Sequence, residues 1–140
     1  MPAHTIRPHL INLDTVQNIT VHDLTLKNSP SFHLRGVQIT DATFYNLDIK
    51  VNTTAQLDIL KRRFLTGSLP LFPLNTDGID PYGKNIHIYN LTCQNYDDVV
   101  VAKPIHRAAG QLTNCTQDLL VENVTVRLGV GLSVGSVSPS

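Results

Sequence analysis

One short phrase recurs four times along the chain, and it constrains the fold more than any other feature. It reads His22-Asp23-Leu24-Thr25-Leu26, then Tyr45-Asn46-Leu47-Asp48-Ile49, then Tyr89-Asn90-Leu91-Thr92-Cys93, then Glu122-Asn123-Val124-Thr125-Val126. The step from His22 to Tyr45 fits a coil of roughly 20–25 residues, and the step from Tyr45 to Tyr89 fits about two such coils. A second alternating segment precedes three of the copies: Asn18–Val21, Asn85–Ile88 and Asp118–Val121.

These runs alternate apolar and polar residues with period two, as half-buried strands do. They are rich in Val, Ile, Leu and Thr, and Asn, Asp, Gly and Pro separate them. One coil of this kind cannot bury its apolar face alone, whereas stacked coils bury a continuous core. The expected class is therefore all-β, a parallel β-solenoid. A sandwich would show hairpin signals between adjacent strands. Asp77-Gly78 is present, but its flanking runs do not read as a hairpin pair. Thr54–Arg63 is the one stretch with any helical period, and it reads as a helical turn or an exposed loop with Arg62 and Arg63 solvated.

Composition narrows the function classes. Eleven Lys and Arg balance eleven Asp and Glu, and 41% of the 140 residues are hydrophobic. A neutral chain lacks the basic footprint of a nucleic-acid binder and has no polybasic membrane patch. No apolar run approaches the ~20 residues of a membrane helix. Cys93 and Cys115 are too few for a disulfide framework, and their pairing is left open. Asn-x-Thr sequons at Asn18, Asn52, Asn90, Asn114 and Asn123 point to a secreted glycoprotein. Met1–Thr5 is not a signal peptide, and neither end reads as a solenoid cap. Residues 1–140 are thus expected to be the central part of one solenoid domain, incomplete at both ends.

Two segments align position by position, Asn75-Thr76-Asp77-Gly78-Ile79-Asp80 with Asn95-Tyr96-Asp97-Asp98-Val99-Val100. If the step from Asp77 to Asp97 makes one coil, these two acids lie one above the other, about 4.7–4.9 Å apart. Asp98 follows at the start of the strand Val99–Ala102. A single Asp at a coil corner would only satisfy turn backbone. Stacked carboxylates repel, and one is driven to keep a proton near neutral pH. A protonated acid beside an ionised carboxylate is what glycoside hydrolysis requires.

Asn75-Thr76-Asp77-Gly78, followed at this spacing by Asp97-Asp98, resembles the pectin-degrading polygalacturonases of glycoside hydrolase family 28. Arg7–Ile11, Leu24–Pro30 and Gly131–Ser136 resemble segments around that family's active site. The resemblance implies a right-handed parallel β-helix that hydrolyses α-1,4-galacturonosyl linkages of polygalacturonate or pectin with inversion. It implies Asp97 as general acid, Asp77 and Asp98 holding and activating water, and Asn75 positioning the site. Lys103 is a weaker candidate for binding an anionic sugar, with an ordinary surface lysine as its other reading. No cofactor or metal is expected, and the full-length protein is expected to be a monomer.

The chain departs from the family pattern in three places. Val130 stands in Gly129-Val130-Gly131 where the family has a Gly-His-Gly triplet, and valine can neither donate nor accept a hydrogen bond. Neither His87, expected to point outward from a strand, nor His106, in the irregular segment Pro104–Thr113, replaces it. The family's Arg-x-Lys grip on the substrate carboxylate is absent. The connection between Val51 and Asn75 is long. Two other readings stay open: a family member that binds pectin without cutting it, and a purely structural β-solenoid. A pectate lyase fits less well, since that chemistry uses calcium and a basic arginine.

Overall fold

The computed structural model describes residues 7–65, 74–107 and 111–135. The readings of Met1–Thr5, of Ser136 onward and of the Arg63 side chain lie outside the described residues. Among the described residues, nine strands and one helix follow in order: β1 (Ile11–Asp14), β2 (Gln17–Lys27), β3 (Leu34–Lys50), α1 (Thr53–Leu65), β4 (Ile79–Gln94), β5 (Asp98–Ala102), β6 (Ile105–Arg107), β7 (Gln111–Asn114), β8 (Gln117–Leu128) and β9 (Gly131–Val134).

Seven strands pair in parallel and form a partial parallel β-helix. β1, the first part of β3, the start of β4, β5 and β9 stack along one face. β2, the remainder of β3 and of β4, and β8 stack along the next. The repeated phrase sets the register: His22 pairs with Tyr45, Tyr45 with Tyr89, and Tyr89 with Glu122. The alternating segments stack as well, with Ile19, Ala42, Ile86 and Leu119 in one column. Asp41–Phe44 supplies the member that sequence reading did not find.

The step from Tyr45 to Tyr89 is one coil rather than two, because β3 pairs directly with β4. The extra length leaves the wall after Lys50, and α1 occupies part of it. Asn52 Oδ1 accepts the Ala55 N–H at 3.1 Å, so Asn52 caps the helix start. Lys61 and Arg62 are exposed, as solvated residues should be.

Asn and Asp recur in the repeat because the wall bends there. Asp23, Asn46, Asn90 and Asn123 form one column, with φ of 54°, 52°, 51° and 49°. Asn18, Asp41, Asn85 and Asp118 form another, with φ of 55°, 54°, 55° and 51°. Left-handed backbone disfavours most side chains but is open to Asn and Asp. Their side chains then ladder from coil to coil: Asn46 Nδ2 donates to Asp23 Oδ1 at 2.8 Å, and Asn90 Nδ2 to Asn46 Oδ1 at 3.1 Å.

Between the bends, inward residues form the core. Leu34, Ile39, Phe44, Ile49, Ile79, Ile88, Cys93 and Val99 are fully buried. Burial contributes about 1.5–3 kcal/mol for each large aliphatic side chain. Cys93 lies in this core with its thiol pushed up to about 12 by burial, then by Asp48. Cys93 and the exposed Cys115 are both free thiols. Within Pro104–Thr113, expected to be irregular, β6 and β7 pair antiparallel, with His106 opposite Leu112. His87 does face outward, between buried Ile86 and Ile88, with Nε2 2.8 Å from Glu122 Oε2.

Candidate active site

The site forms where three successive coils enter the β1-side face. Asp77 precedes β4, Asp97 precedes β5, Asp98 opens β5, and Val130 precedes β9. The coil between the first two is one position longer than the aligned motifs imply, because Ile79 pairs with Val100 rather than Val99. Asp98 is therefore the backbone neighbour of this segment, and its carbonyl accepts the Gly78 N–H at 2.9 Å. Gly78 is required by this approach and not by a hairpin: a Cβ there would meet the Val99 carbonyl oxygen at 2.3 Å.

Asp97 is drawn into the same patch from the side. Its Oδ2 accepts the Asn75 N–H at 2.6 Å, and its Oδ1 accepts the Asp98 N–H at 3.0 Å. Asn75 can present that N–H because its backbone is left-handed, with φ of 65°. Its side-chain oxygen accepts a bond from Arg7 Nη2 at 3.0 Å, while Arg7 Nη1 donates to the Leu74 carbonyl at 2.8 Å. Asp98 Oδ1 accepts from the Ser133 hydroxyl. One oxygen from each of Asp77, Asp97 and Asp98 lies within 4.8 Å of the others. The sequence expectation of three carboxylates in one small patch is met in the structure, with Asp98 rather than Asp97 as the register partner.

Burial separates the three acids. Asp77 is 3% exposed, and its Oδ1 has no hydrogen-bond partner among the described residues. Burial, then the neighbouring Asp97 charge, pushes its carboxyl up to about 6, against the pull of Lys103. Asp97 and Asp98 are half-buried. These oxygens are close enough to surround a divalent cation, but Asp97 and Asp98 already accept bonds from Asn75, Asp98 and Ser133.

Lys103 belongs to the site and is not an ordinary surface lysine. Its side chain is only 16% exposed, and its ammonium pairs with Asp80 and lies 3.5 Å from Asp77 Oδ2. Burial alone would lower it, but the Asp80 hydrogen bond and the charges of Asp80 and Asp77 hold it above the ordinary lysine value. It also lies 4.3 Å from the centre of the Phe32 ring.

Two neighbours were missed from sequence. Asp80 is fully buried, and burial, then the Asp77 charge, pushes it up to about 7. A lone acid in the apolar strand start Ile79–Tyr82 was its signal. His33 is also fully buried, with Nδ1 3.0 Å from the Asp77 carbonyl and Nε2 3.3 Å from the Ser29 amide. The Ser29 N–H donates to Nε2, so Nδ1 carries the proton and donates to Asp77. Burial keeps the ring neutral by lowering its pKa. His33 precedes Asp77 by the same step that separates Tyr45 from Tyr89 in the repeated phrase.

Val130 fills the histidine position of the family pattern. Its N–H donates to the Asp97 carbonyl at 2.9 Å, and the residue is 70% exposed. The flanking Gly129 has a φ of 147°, and a Cβ there would meet Asn95 Oδ1 at 2.5 Å. Of the sequons, Asn90 and Asn123 stand in the side-chain ladder, Asn52 caps α1, and Asn18 sits at a left-handed bend. Asn114 closes β7.

The family model for glycosyl hydrolases family 28 matches residues 3–140. A probable rhamnogalacturonase B of Aspergillus fumigatus is 28% identical over 130 residues, which is 93% of this chain and 19% of that protein. Rhamnogalacturonase A of Aspergillus niger is 27% identical, over 93% of this chain and 23% of that protein. A probable rhamnogalacturonase C of the same species is 25% identical over 95% of this chain and 23% of that protein. The chain thus spans about a fifth of the length of these curated relatives. No solved structure matches it.

Proposed function

The chain belongs to glycosyl hydrolases family 28, and from that premise we propose that it carries the acid–base centre of a secreted enzyme that hydrolyses galacturonosyl linkages in pectin. The observation that supports this most is the group of Asp77, Asp97 and Asp98, whose oxygens lie within 4.8 Å of one another at the mouths of adjacent coils. Clustered acids are a poor structural device, and chemistry gives them a use. Polygalacturonate is the substrate suggested by motif. The relatives' names add rhamnogalacturonan, so both polymers belong in the assay.

In this reading Asp97 protonates the leaving oxygen, and Asp77 and Asp98 activate water. Before substrate binds, burial favours a different placement of the proton. Both Asp97 oxygens accept backbone N–H groups. Asp77 is the one pushed upward. One oxygen of each acid lies within 4.8 Å of the others, so the proton can pass from Asp77 to Asp97 as the glycosidic oxygen arrives. Lys103 stands behind Asp77 and restrains its protonation. Inversion follows from the family. The spacing is shorter than the ~6.5–9.5 Å usual for inverting pairs, so the anomer of the first product, read by proton NMR, is a direct test.

The assay is release of reducing ends from polygalacturonate and from rhamnogalacturonan, compared with Asp97→Asn. No release from either polymer by folded full chain would overturn the proposal. One observation favours a second reading, a pectin-binding member with weak turnover: the position beside Asp97 holds an exposed valine. Binding of oligogalacturonate without release would support it.

A further inference from the structure

Cations near the acidic group fall into two kinds. Lys103 is neutralised by Asp80 and Asp77. Arg35 is not: among the described residues, no carboxylate lies within ion-pair distance of it. Arg35 projects from β3 in register with Asn12 of β1 and Asp80 of β4. Its guanidinium is held in place by Asn12, with Nη1 3.1 Å from Oδ1, and by the Tyr82 ring, whose centre is 5.8 Å from the guanidinium carbon. Among the described residues, Asn12 is the one hydrogen-bond acceptor it meets. A fixed guanidinium plane with free parallel donors matches a carboxylate better than a lysine does.

His9 stands on the same side. Its ring stacks on Phe32 at 4.8 Å, with the planes 20° apart, and its Nδ1 is buried without a partner. Burial, then the Arg35 and Lys103 charges, hold it neutral. Phe32 in turn lies under Lys103. The acids Asp77, Asp97 and Asp98 thus lie at the β4 and β5 coils, and Arg35 lies on β3, toward β1.

We propose that Arg35 is a specificity residue, forming with His9 and the Tyr82 ring a subsite that binds the carboxylate of a uronate sugar unit one coil to the β1 side of Asp77. A galacturonate carboxylate cannot settle against three acids. It can settle against an arginine that, among the described residues, has no carboxylate within ion-pair distance. The neighbouring rings flank the position where the sugar's C–H face would lie. This inference rests on the reading of the acid group as a pectin hydrolase centre, and it adds a charge requirement to the unit that occupies one side of the cleft.

The test uses the full chain, with free-acid and fully methyl-esterified polygalacturonate as paired substrates. Arg35→Gln should raise KM on the free-acid polymer about tenfold, with kcat much less affected, as loss of one charge-assisted contact implies. The loss should be several-fold larger on the free acid than on the ester, and Arg35→Lys should recover part of it. Equal losses on both substrates, or a fall in kcat alone, would overturn the subsite. Trigalacturonate binding by calorimetry separates the two levels of the reading. Arg35-dependent binding without turnover would keep the subsite and remove the hydrolase. Turnover that is indifferent to Arg35 would keep the hydrolase and remove the subsite.

Discussion

The Lys103 ammonium lies 3.5 Å from Asp77 Oδ2 while it pairs with the buried Asp80. One cation therefore serves two acids, and it is the main influence holding Asp77 down against burial and Asp97. Lys103→Met should move the acid limb of the pH–kcat/KM profile to higher pH, because Asp77 then ionises later. It should also destabilise the fold by about 3–5 kcal/mol if Asp80 stays charged, and by less if Asp80 takes up a proton. A pH profile with an unmoved acid limb would show that Lys103 does not control Asp77.

Stability itself should fall as pH rises through neutrality. Asp77 and Asp80 have folded values of about 6 and about 7, above the ordinary 3.8. The folded state therefore binds more protons than the unfolded state between these values. The stability they contribute is fully present below about pH 4 and is lost as pH climbs through 6 and 7, on the order of a few kcal/mol together. Thermal midpoints at pH 5 and pH 8 provide the measurement, with pH 5 expected to be higher. Asp77→Asn with Asp80→Asn should flatten the difference.

The roles of the acids separate by leaving group and nucleophile. Asp97→Asn should lower kcat on polymer by about 10²–10⁴-fold and lose much less on a galacturonide with an aryl leaving group, which needs no protonation. Asp77→Asn should be as damaging on both substrates. If the two variants exchange this behaviour, Asp77 is the acid, in keeping with its protonation before substrate binds.

Val130→His should fold normally, since residue 130 is 70% exposed and its backbone bond to Asp97 does not involve the side chain. It should raise kcat, by up to about 10²-fold if acid–base geometry limits the rate. An unchanged rate in a folded variant would show that the valine is not what limits turnover.

Much of the fold could be read from residues because a bend in this wall is written in one residue type. Asn46, Asn90 and Asn123 each take left-handed backbone and each join the same column, so the repeated phrase is also the register. The long step from Tyr45 to Tyr89 misled because the wall does not record what leaves it between Lys50 and Ile79. Within the site, Asp77, Asp97, Asp98 and Asn75 could be read because two local motifs carry them. Asp80 and His33 could not, because their importance comes from neighbours one coil away: Lys103 beside Asp80 and the Asp77 carbonyl on His33.

The connection carrying α1 joins β3 to β4 without disturbing the thirteen paired positions between them. Its first residues are fastened at the wall, where Gln94 Nε2 donates to the Val51 carbonyl and Tyr96 OH to the Thr53 carbonyl. A gene encoding such a protein could lengthen, shorten or exchange that crossover in single steps and leave every ladder intact. The wall keeps its register whatever the crossover carries. Diversity in what the cleft accepts can then accumulate at the margin of the site while its acids stay where they are.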